Sequence, residues 1–187
     1  MRFVVLYYLA FGASTTLALW PQPRQLKTGS QTLKLSQSFS VDLSGIKSAP
    51  PDLKAAVKRT QDYLKNDKLR LLVPDRGASN GAKIASAPTL SSLVIVLEAN
   101  STVRSIAQES TLEVEQRQEG YTLTIPANGK AARLTAKTTL GLFRGLTTFS
   151  QVWFDLSGTA YTLQAPFDIV DSPAYPYRGF MLDTARN

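Results

Sequence analysis

The spacing of apolar residues changes abruptly near residue 137, and this change constrains the fold more than any other feature of the sequence. The segments Tyr121–Ile125 (YTLTI) and Ala132–Ala136 (ARLTA) alternate apolar and polar residues, which is typical of strands with one wet face. Asn128-Gly129 lies between them and is a strong turn signal. These residues therefore predict a hairpin.

A helix is predicted directly after the hairpin, over about residues 139–153. Thr138 is a suitable N-cap because its hydroxyl can accept a free backbone N–H group. The apolar residues then recur at helical spacing, at Leu142, Leu146, Phe149 and Trp153. Gly141 and Gly145 each cost a helix up to ~1 kcal/mol relative to alanine. This cost predicts close packing of the helix on a sheet.

Four further segments complete the predicted elements. Residues 20–50 are rich in Pro, Ser, Thr and Gln and contain short alternating stretches, which predict one or two strands. Asp52 is the expected N-cap of a helix over about 53–66. The Gly- and Ser-rich segment 75–86 predicts a mobile loop. The continuous apolar run 92–98 predicts a central strand buried on both faces.

The elements together predict an α+β fold, with one mainly antiparallel sheet and two helices on one of its faces. Strand fragments are also expected over 162–170, around Pro166. The length of 187 residues excludes a complete (β/α)8 barrel, which needs roughly 200 residues or more for itself.

Two residue types are missing, and their absence limits the chemistry available to the chain. Without Cys there can be no disulfide, thiolate zinc site or Cys nucleophile, and without His there can be no Ser-His-Asp triad or His-ligated metal. The net charge of +7 comes from residues 24–83, where 12 basic and 5 acidic residues are scattered. These basic residues form no run interleaved with aromatics, so nucleic-acid binding is not expected.

The first 18 residues, MRFVVLYYLAFGASTTLA, are interpreted as a secretory signal peptide cleaved after Ala18. The alternative is a membrane anchor, but the apolar run over residues 3–11 is too short for a ~30 Å hydrocarbon core. A secreted protein with no membrane span after cleavage is therefore expected. In that setting Asn100-Ser101-Thr102 is a candidate N-glycosylation site, the alternative being an unused sequon.

Four segments carry a resemblance to a known family: Gly120–Ile125, Ala132–Ala136, Thr139–Gln151 (TLGLFRGLTTFSQ) and Tyr177–Asn187 (YRGFMLDTARN). Together they resemble the β-N-acetylhexosaminidases, the family 20 glycoside hydrolases, over roughly residues 90–187. With the signal peptide and the long polar leader, the chain looks most like the secreted fungal enzymes.

The resemblance implies an N-terminal α/β domain followed by a (β/α)8 catalytic barrel, of which Tyr177–Asp183 looks like the first strand. It divides the chain into a signal peptide (1–18), a polar leader with short strands (19–50), the α/β domain (51–172) and the start of a truncated barrel (173–187). The family's catalytic pair is an adjacent Asp-Glu on a later barrel strand, and no such pair occurs in this sequence. No catalytic residue is therefore expected in this chain.

One residue of the family's sugar site maps onto this chain. The arginine of the RG-x-x-LD motif is Arg178, which the resemblance assigns to hydrogen bonds with hydroxyls of the non-reducing sugar. A guanidinium suits this task because its fixed fork of N–H donors can hold two neighbouring oxygens. The alternative is a salt bridge to a nearby carboxylate such as Asp183. Asp183 and Arg186 are expected to be structural partners inside the barrel.

The resemblance implies an exo-acting β-N-acetylhexosaminidase of chitin or glycan turnover, working on oligosaccharides that end in N-acetylhexosamine. Its mechanism is retaining and substrate-assisted, and it uses no metal and no organic cofactor. Dimerisation is common in the family, and the sequence itself gives no sign of it. This fragment alone is expected to be inactive. The alternative hypothesis is a non-catalytic secreted α+β module used for binding or assembly.

Overall fold

A computed structural model of the chain describes residues 19–66, 76–179 and 181–184. The predicted signal peptide and Arg186 lie outside the described residues. The described strands are β1 Gln25–Asp42, β2 Thr89–Leu97, β3 Tyr121–Ile125, β4 Ala132–Ala136, β5 Phe154–Leu156 and β6 Thr159–Asp171. The described α-helices are α1 Pro51–Asn66, α2 Gly81–Ser86, α3 Ile106–Ser110 and α4 Thr139–Gln151.

The six strands form one mixed sheet in the order β1-β2-β4-β3-β6-β5. The hairpin β3–β4 forms as predicted, and β6 pairs antiparallel with β3 and β5. The two pairings of β2, with β1 and with β4, are parallel. The sheet is therefore mixed, and the predicted antiparallel character describes its β4-β3-β6-β5 part.

Strand β1 pairs with two different strands of this sheet. Its first half pairs antiparallel with β6, from Gln25 opposite Val170 to Lys34 opposite Tyr161. Its second half pairs parallel with β2, from Lys34 to Asp42. The segment for which short strands were predicted therefore forms a single strand that belongs to the same sheet as the elements after residue 51.

The helices α1 and α4 pack side by side against the sheet, as predicted for two helices on one face. Because they cover one face only, the strand β2 is not buried on both faces. Leu93 and Ile95 are fully buried beneath the helices, whereas Val94 and Val96 on the opposite face remain half-buried. The prediction of a doubly buried strand is therefore wrong.

Helix α4 approaches the sheet closely, which confirms the interpretation of its two glycines. A Cβ atom at Gly141 would lie 2.5 Å from the carbonyl oxygen of Gly120 and 2.9 Å from the Cβ of Ala136. A Cβ atom at Gly145 would collide with the side chain of Leu134. The helix begins as predicted, because the Thr138 hydroxyl accepts the backbone N–H of Gly141 at 3.0 Å.

Two local predictions are corrected. Asp52 lies within the first turn of α1 rather than before it, and its carboxylate accepts N–H groups of Leu53 at 2.8 Å and of Ala107 at 3.0 Å. It therefore ties α1 to the start of α3. The predicted loop 75–86 contains the helix α2, which is anchored because the side chain of Ile84 is buried; Asp75 lies outside the described residues.

A barrel strand was predicted over residues 177–183, and residues 177–179 and 181–184 are not in a strand. The described residues of this segment pair with no strand, and the side chains of Met181 and Leu182 are 90% and 71% exposed. A strand gains its stability from hydrogen bonds to a neighbour, and the resemblance places that neighbour in the barrel itself. No helix in the described part of the chain has the length and apolar character needed to cross a bilayer.

Candidate functional site

The one residue predicted to bind sugar, Arg178, lies at a cleft between the start of α4 and the segment that follows β6. We call this cleft the arginine cleft, because three arginines and a single glutamate line it. Its volume is about 350 Å³, and it is lined by Ser110, Arg117, Glu119, Leu140, Arg144, Pro176, Tyr177 and Arg178. The lining therefore carries an excess of positive charge.

The carboxylate of the cleft belongs to Glu119, which precedes strand β3. The chain can bring this residue against α4 because Gly141 has no side chain in the way of the Gly120 carbonyl. The Thr138 hydroxyl also donates a hydrogen bond to the carbonyl of Gln118. The first turn of α4 thus holds the backbone on both sides of Glu119 in place.

Glu119 forms ion pairs with two arginines through the same oxygen. Its Oε2 accepts Nε–H of Arg144 at 2.7 Å and an NH2 hydrogen of Arg178 at 2.6 Å. The Glu119 side chain is only 6% exposed, while the two arginine side chains are 44% and 41% exposed. Burial by itself would raise the pKa of Glu119, but the hydrogen bonds and charges of Arg178 and Arg144 outweigh it and lower the pKa.

Arg178 is held at a second point, by the backbone of its own segment. Its NH1 group donates to the carbonyl of Tyr175 at 2.8 Å. The path of this segment is set earlier, because Arg24 at the start of the sheet donates to the carbonyls of Ser172 and Pro173, both at 2.9 Å. The salt-bridge partner of Arg178 is therefore Glu119, where the sequence suggested Asp183.

Sequence reasoning missed Glu119, Arg144 and Arg117 as members of this site. Arg144 offers a signal that could have revealed it, because it is the only charged residue between Thr139 and Gln151. Such a residue in an apolar helix needs a partner. Arg117 is fixed by a 2.8 Å hydrogen bond from its Nε to the carbonyl of Leu112. Nothing in the sequence indicates that it would face the same cleft.

The predicted glycosylation site is accessible. Asn100 lies in the turn after β2, with an exposed side chain and a left-handed backbone at φ 63°. The turn is closed by a 3.2 Å hydrogen bond from the backbone N–H of Ser101 to the carbonyl of Glu98. Across the described ranges, no group of three or more acidic side chains is placed to hold a metal ion.

Comparison with known proteins assigns the chain to a family. The family described as "beta-acetyl hexosaminidase like" matches residues 19–152. The chain belongs to the β-hexosaminidases. This hexosaminidase chain is 32% identical over 179 residues to the beta-hexosaminidase subunit beta of Felis catus, covering 94% of the chain and 31% of the relative. It is 30% identical over 192 residues to beta-hexosaminidase 3 of Arabidopsis thaliana, covering all of the chain and 34% of the relative.

The fold of this hexosaminidase chain also has a counterpart among solved structures. The chitobiase of Flavobacterium johnsoniae matches 89% of the chain with a TM-score of 0.54 and 21% identity, and the match covers 22% of that protein. This likeness concerns the fold alone. The chain spans about a third of the length of the first curated relatives it matches.

Acidification should destabilise this chain partly through Glu119. Because its folded pKa lies below the ordinary value of 4.5, the ionised carboxylate stabilises the fold above that pH. This contribution is lost as the pH falls through the lowered folded pKa. We expect urea denaturation between pH 6 and about 3 to show a smaller acid loss of the free energy of unfolding in Glu119→Gln than in the wild type. An exposed control, Glu115→Gln, should keep the wild-type dependence, and equal curves for all three proteins would contradict the prediction.

Proposed function

We propose that this chain is the N-terminal part of a secreted exo-β-N-acetylhexosaminidase of the fungal type. The longer enzyme hydrolyses terminal N-acetylhexosamine from chitooligosaccharides or glycans by retaining, substrate-assisted catalysis. The observation that carries this proposal is the family match over residues 19–152, combined with the YRGFMLD segment that follows the matched domain.

The proposed work of Arg178 agrees with the chemistry of its surroundings. A guanidinium carries five N–H donors. One NH1 and one NH2 hydrogen are used by Tyr175 and Glu119, and the side chain remains 41% exposed. The remaining donors of Arg178 are the groups that we assign to the hydroxyls of the non-reducing sugar. Asp183 and Arg186 are proposed as supports within the barrel.

The chemistry itself is assigned to residues outside this chain. No Asp and Glu are adjacent anywhere in the sequence. In the proposed mechanism the acetamido oxygen of the substrate attacks the anomeric carbon, an Asp orients the acetamido group, and a Glu protonates the leaving oxygen and then activates water. The domain described here contributes the support for Arg178 and no acid or base of its own.

A hydrolysis assay tests the proposal. A polypeptide that continues through the barrel should release nitrophenol from 4-nitrophenyl N-acetyl-β-glucosaminide, and the 187-residue chain should release none above a mock preparation. Turnover by the chain alone would refute the assignment of the chemistry to the barrel. An inactive longer polypeptide with a stable fold would favour a non-catalytic secreted binding or assembly module.

Secretion is tested by the sequon at Asn100. When the precursor is expressed in a eukaryotic cell, we expect the secreted chain to carry one N-glycan there, because the turn after β2 exposes the side chain. Digestion with an endoglycosidase should increase the mobility of the wild type on a gel. Thr102→Ala, which keeps Asn100 but destroys the sequon, should migrate with the digested form. An unchanged wild-type band after digestion would argue against this modification.

A further inference from the structure

We propose that Glu119 is a positioning residue for the sugar site, acting through Arg178. Glu119 lies outside the YRGFMLD segment, in the stretch of chain before β3. Its carboxylate accepts a hydrogen bond from the Arg178 guanidinium at 2.6 Å. This inference rests on the proposed function, because it gives Glu119 a role only if Arg178 contacts the sugar. It extends the sugar site from the segment after β6 into the α/β domain.

The first argument is that Glu119 is itself rigidly placed. Its side chain is 6% exposed and is held by Arg144 of helix α4 at 2.7 Å. The backbone beside it is fixed to the helix by the close approach of Gly120 to Gly141 and by Thr138. A buried carboxylate that is already paired with one arginine is a rigid hydrogen-bond partner for a second, more exposed arginine.

The second argument is that Arg178 needs a fixed partner to hold its side chain in one orientation. An arginine side chain has several rotatable bonds, and ordering it costs conformational entropy. The neighbouring side chain of Tyr177 is 79% exposed, so packing beside Arg178 does little to hold its side chain in one place. Within the described residues, Glu119 and the carbonyl of Tyr175 are the hydrogen-bond partners of the guanidinium. Of these two, only Glu119 belongs to the folded domain.

The third argument concerns charge. If Glu119 were a simple neutralising partner, Arg144 alone would satisfy it. Instead one oxygen serves both arginines, and three guanidinium groups share the cleft with a single carboxylate. Arg178 uses one NH1 and one NH2 hydrogen in its contacts with Tyr175 and Glu119, and its side chain is 41% exposed. The other donors of Arg178 are the ones that we assign to hydroxyl oxygens.

A double-mutant cycle in the longer enzyme tests the proposal. Glu119→Gln should lower kcat/KM by roughly 5- to 100-fold, since a misplaced binding group weakens the sugar complex and the transition state. In the Arg178→Lys background the same change should have no further effect, because the group that Glu119 positions is already lost. The exposed control Glu115→Gln should match the wild type.

The outcomes separate the two proposals. A near-normal kcat/KM in Arg178→Lys would refute the sugar-binding role on which the inference rests. A low kcat/KM in Arg178→Lys, combined with a normal value in Glu119→Gln or with effects that multiply, would overturn the positioning role alone. A loss of kcat in Glu119→Gln that is matched by an equal loss of folded protein would likewise overturn it.

A second measurement uses the 187-residue chain itself. Chymotrypsin should cleave after Tyr177, whose side chain is 79% exposed. If Glu119 holds the segment through Arg178, cleavage should be faster in Glu119→Gln than in the wild type or Glu115→Gln. Equal cleavage rates in the three folded proteins would contradict the proposed contact.

Discussion

Arg178→Lys should lower kcat/KM of the longer enzyme by about 10- to 150-fold. Lysine keeps the charge but replaces the planar fork of donors with a single ammonium group, which cannot hold two neighbouring oxygens in the same way. A hydrogen bond to a charged group contributes about 1.5–3 kcal/mol, and ~1.4 kcal/mol corresponds to a tenfold change in rate. The loss should grow toward the transition state, where the distorted ring binds most tightly.

Steady-state kinetics and thermal unfolding on the same preparation distinguish the two roles of this residue. If Arg178 binds sugar, kcat/KM falls while the protein still folds. If it serves only the ion pair with Glu119, the lysine variant keeps its kcat/KM and loses thermal stability. Arg133→Lys is the matched control, because that exposed arginine lies on strand β4, away from the cleft.

Gly141→Ala should destabilise the domain, although alanine is the better helix former. The new methyl group would lie 2.5 Å from a backbone oxygen, at Gly120, and 2.9 Å from the Cβ of Ala136. Overpacking of this kind costs about 1–3 kcal/mol, and the gain in helix propensity offsets at most ~1 kcal/mol of it. A backbone atom cannot rotate away as a side chain can, so the strand and helix must separate.

Gly81→Ala provides the comparison. Gly81 has ordinary right-handed helical angles, and a Cβ atom there would meet no atom within 4 Å. This variant should gain about 0.4–1 kcal/mol, because alanine restricts the unfolded chain. Urea denaturation should therefore place the midpoint of Gly141→Ala below the wild type and that of Gly81→Ala at or above it. The opposite order would show that α4 does not need its close contact with the β3 end.

The parts of the fold that the sequence predicted are those governed by contacts near in the chain. The hairpin β3–β4 and the helix α4 depend on periodicity and on an adjacent turn or cap residue, and the helix α1 depends on periodicity. The parallel pairs of β2 could not be foreseen in this way. They depend on which strands the rest of the chain brings alongside, and periodicity within a strand does not contain that information.

The candidate site shows the same difference between contacts near in the chain and distant contacts. Arg178 was found because it belongs to a motif of consecutive residues, and its ion-pair partner was sought at the nearest carboxylate, Asp183. The structure supplies Glu119 instead, from a residue far earlier in the chain. Helix α2 was missed for a related reason, since its Gly- and Ser-rich composition argues for a loop while the burial of Ile84 holds it as a helix.

Strand β1 has a consequence for how this protein is made. A ribosome releases the chain from its N-terminus, yet Gln25 finds its partner only at Val170. The hairpin and the helix α4 can assemble as soon as they emerge, but β6 gains its outer neighbour only when nearly the whole domain has been synthesised. Until β6 has been synthesised, the first half of β1 exposes unpaired backbone groups, which are sites for wrong pairing with other nascent chains. Strand β6, the last strand of the domain in chain order, completes the pairing of β1. The first half of β1 is therefore protected from wrong pairing only near the end of the synthesis of the domain.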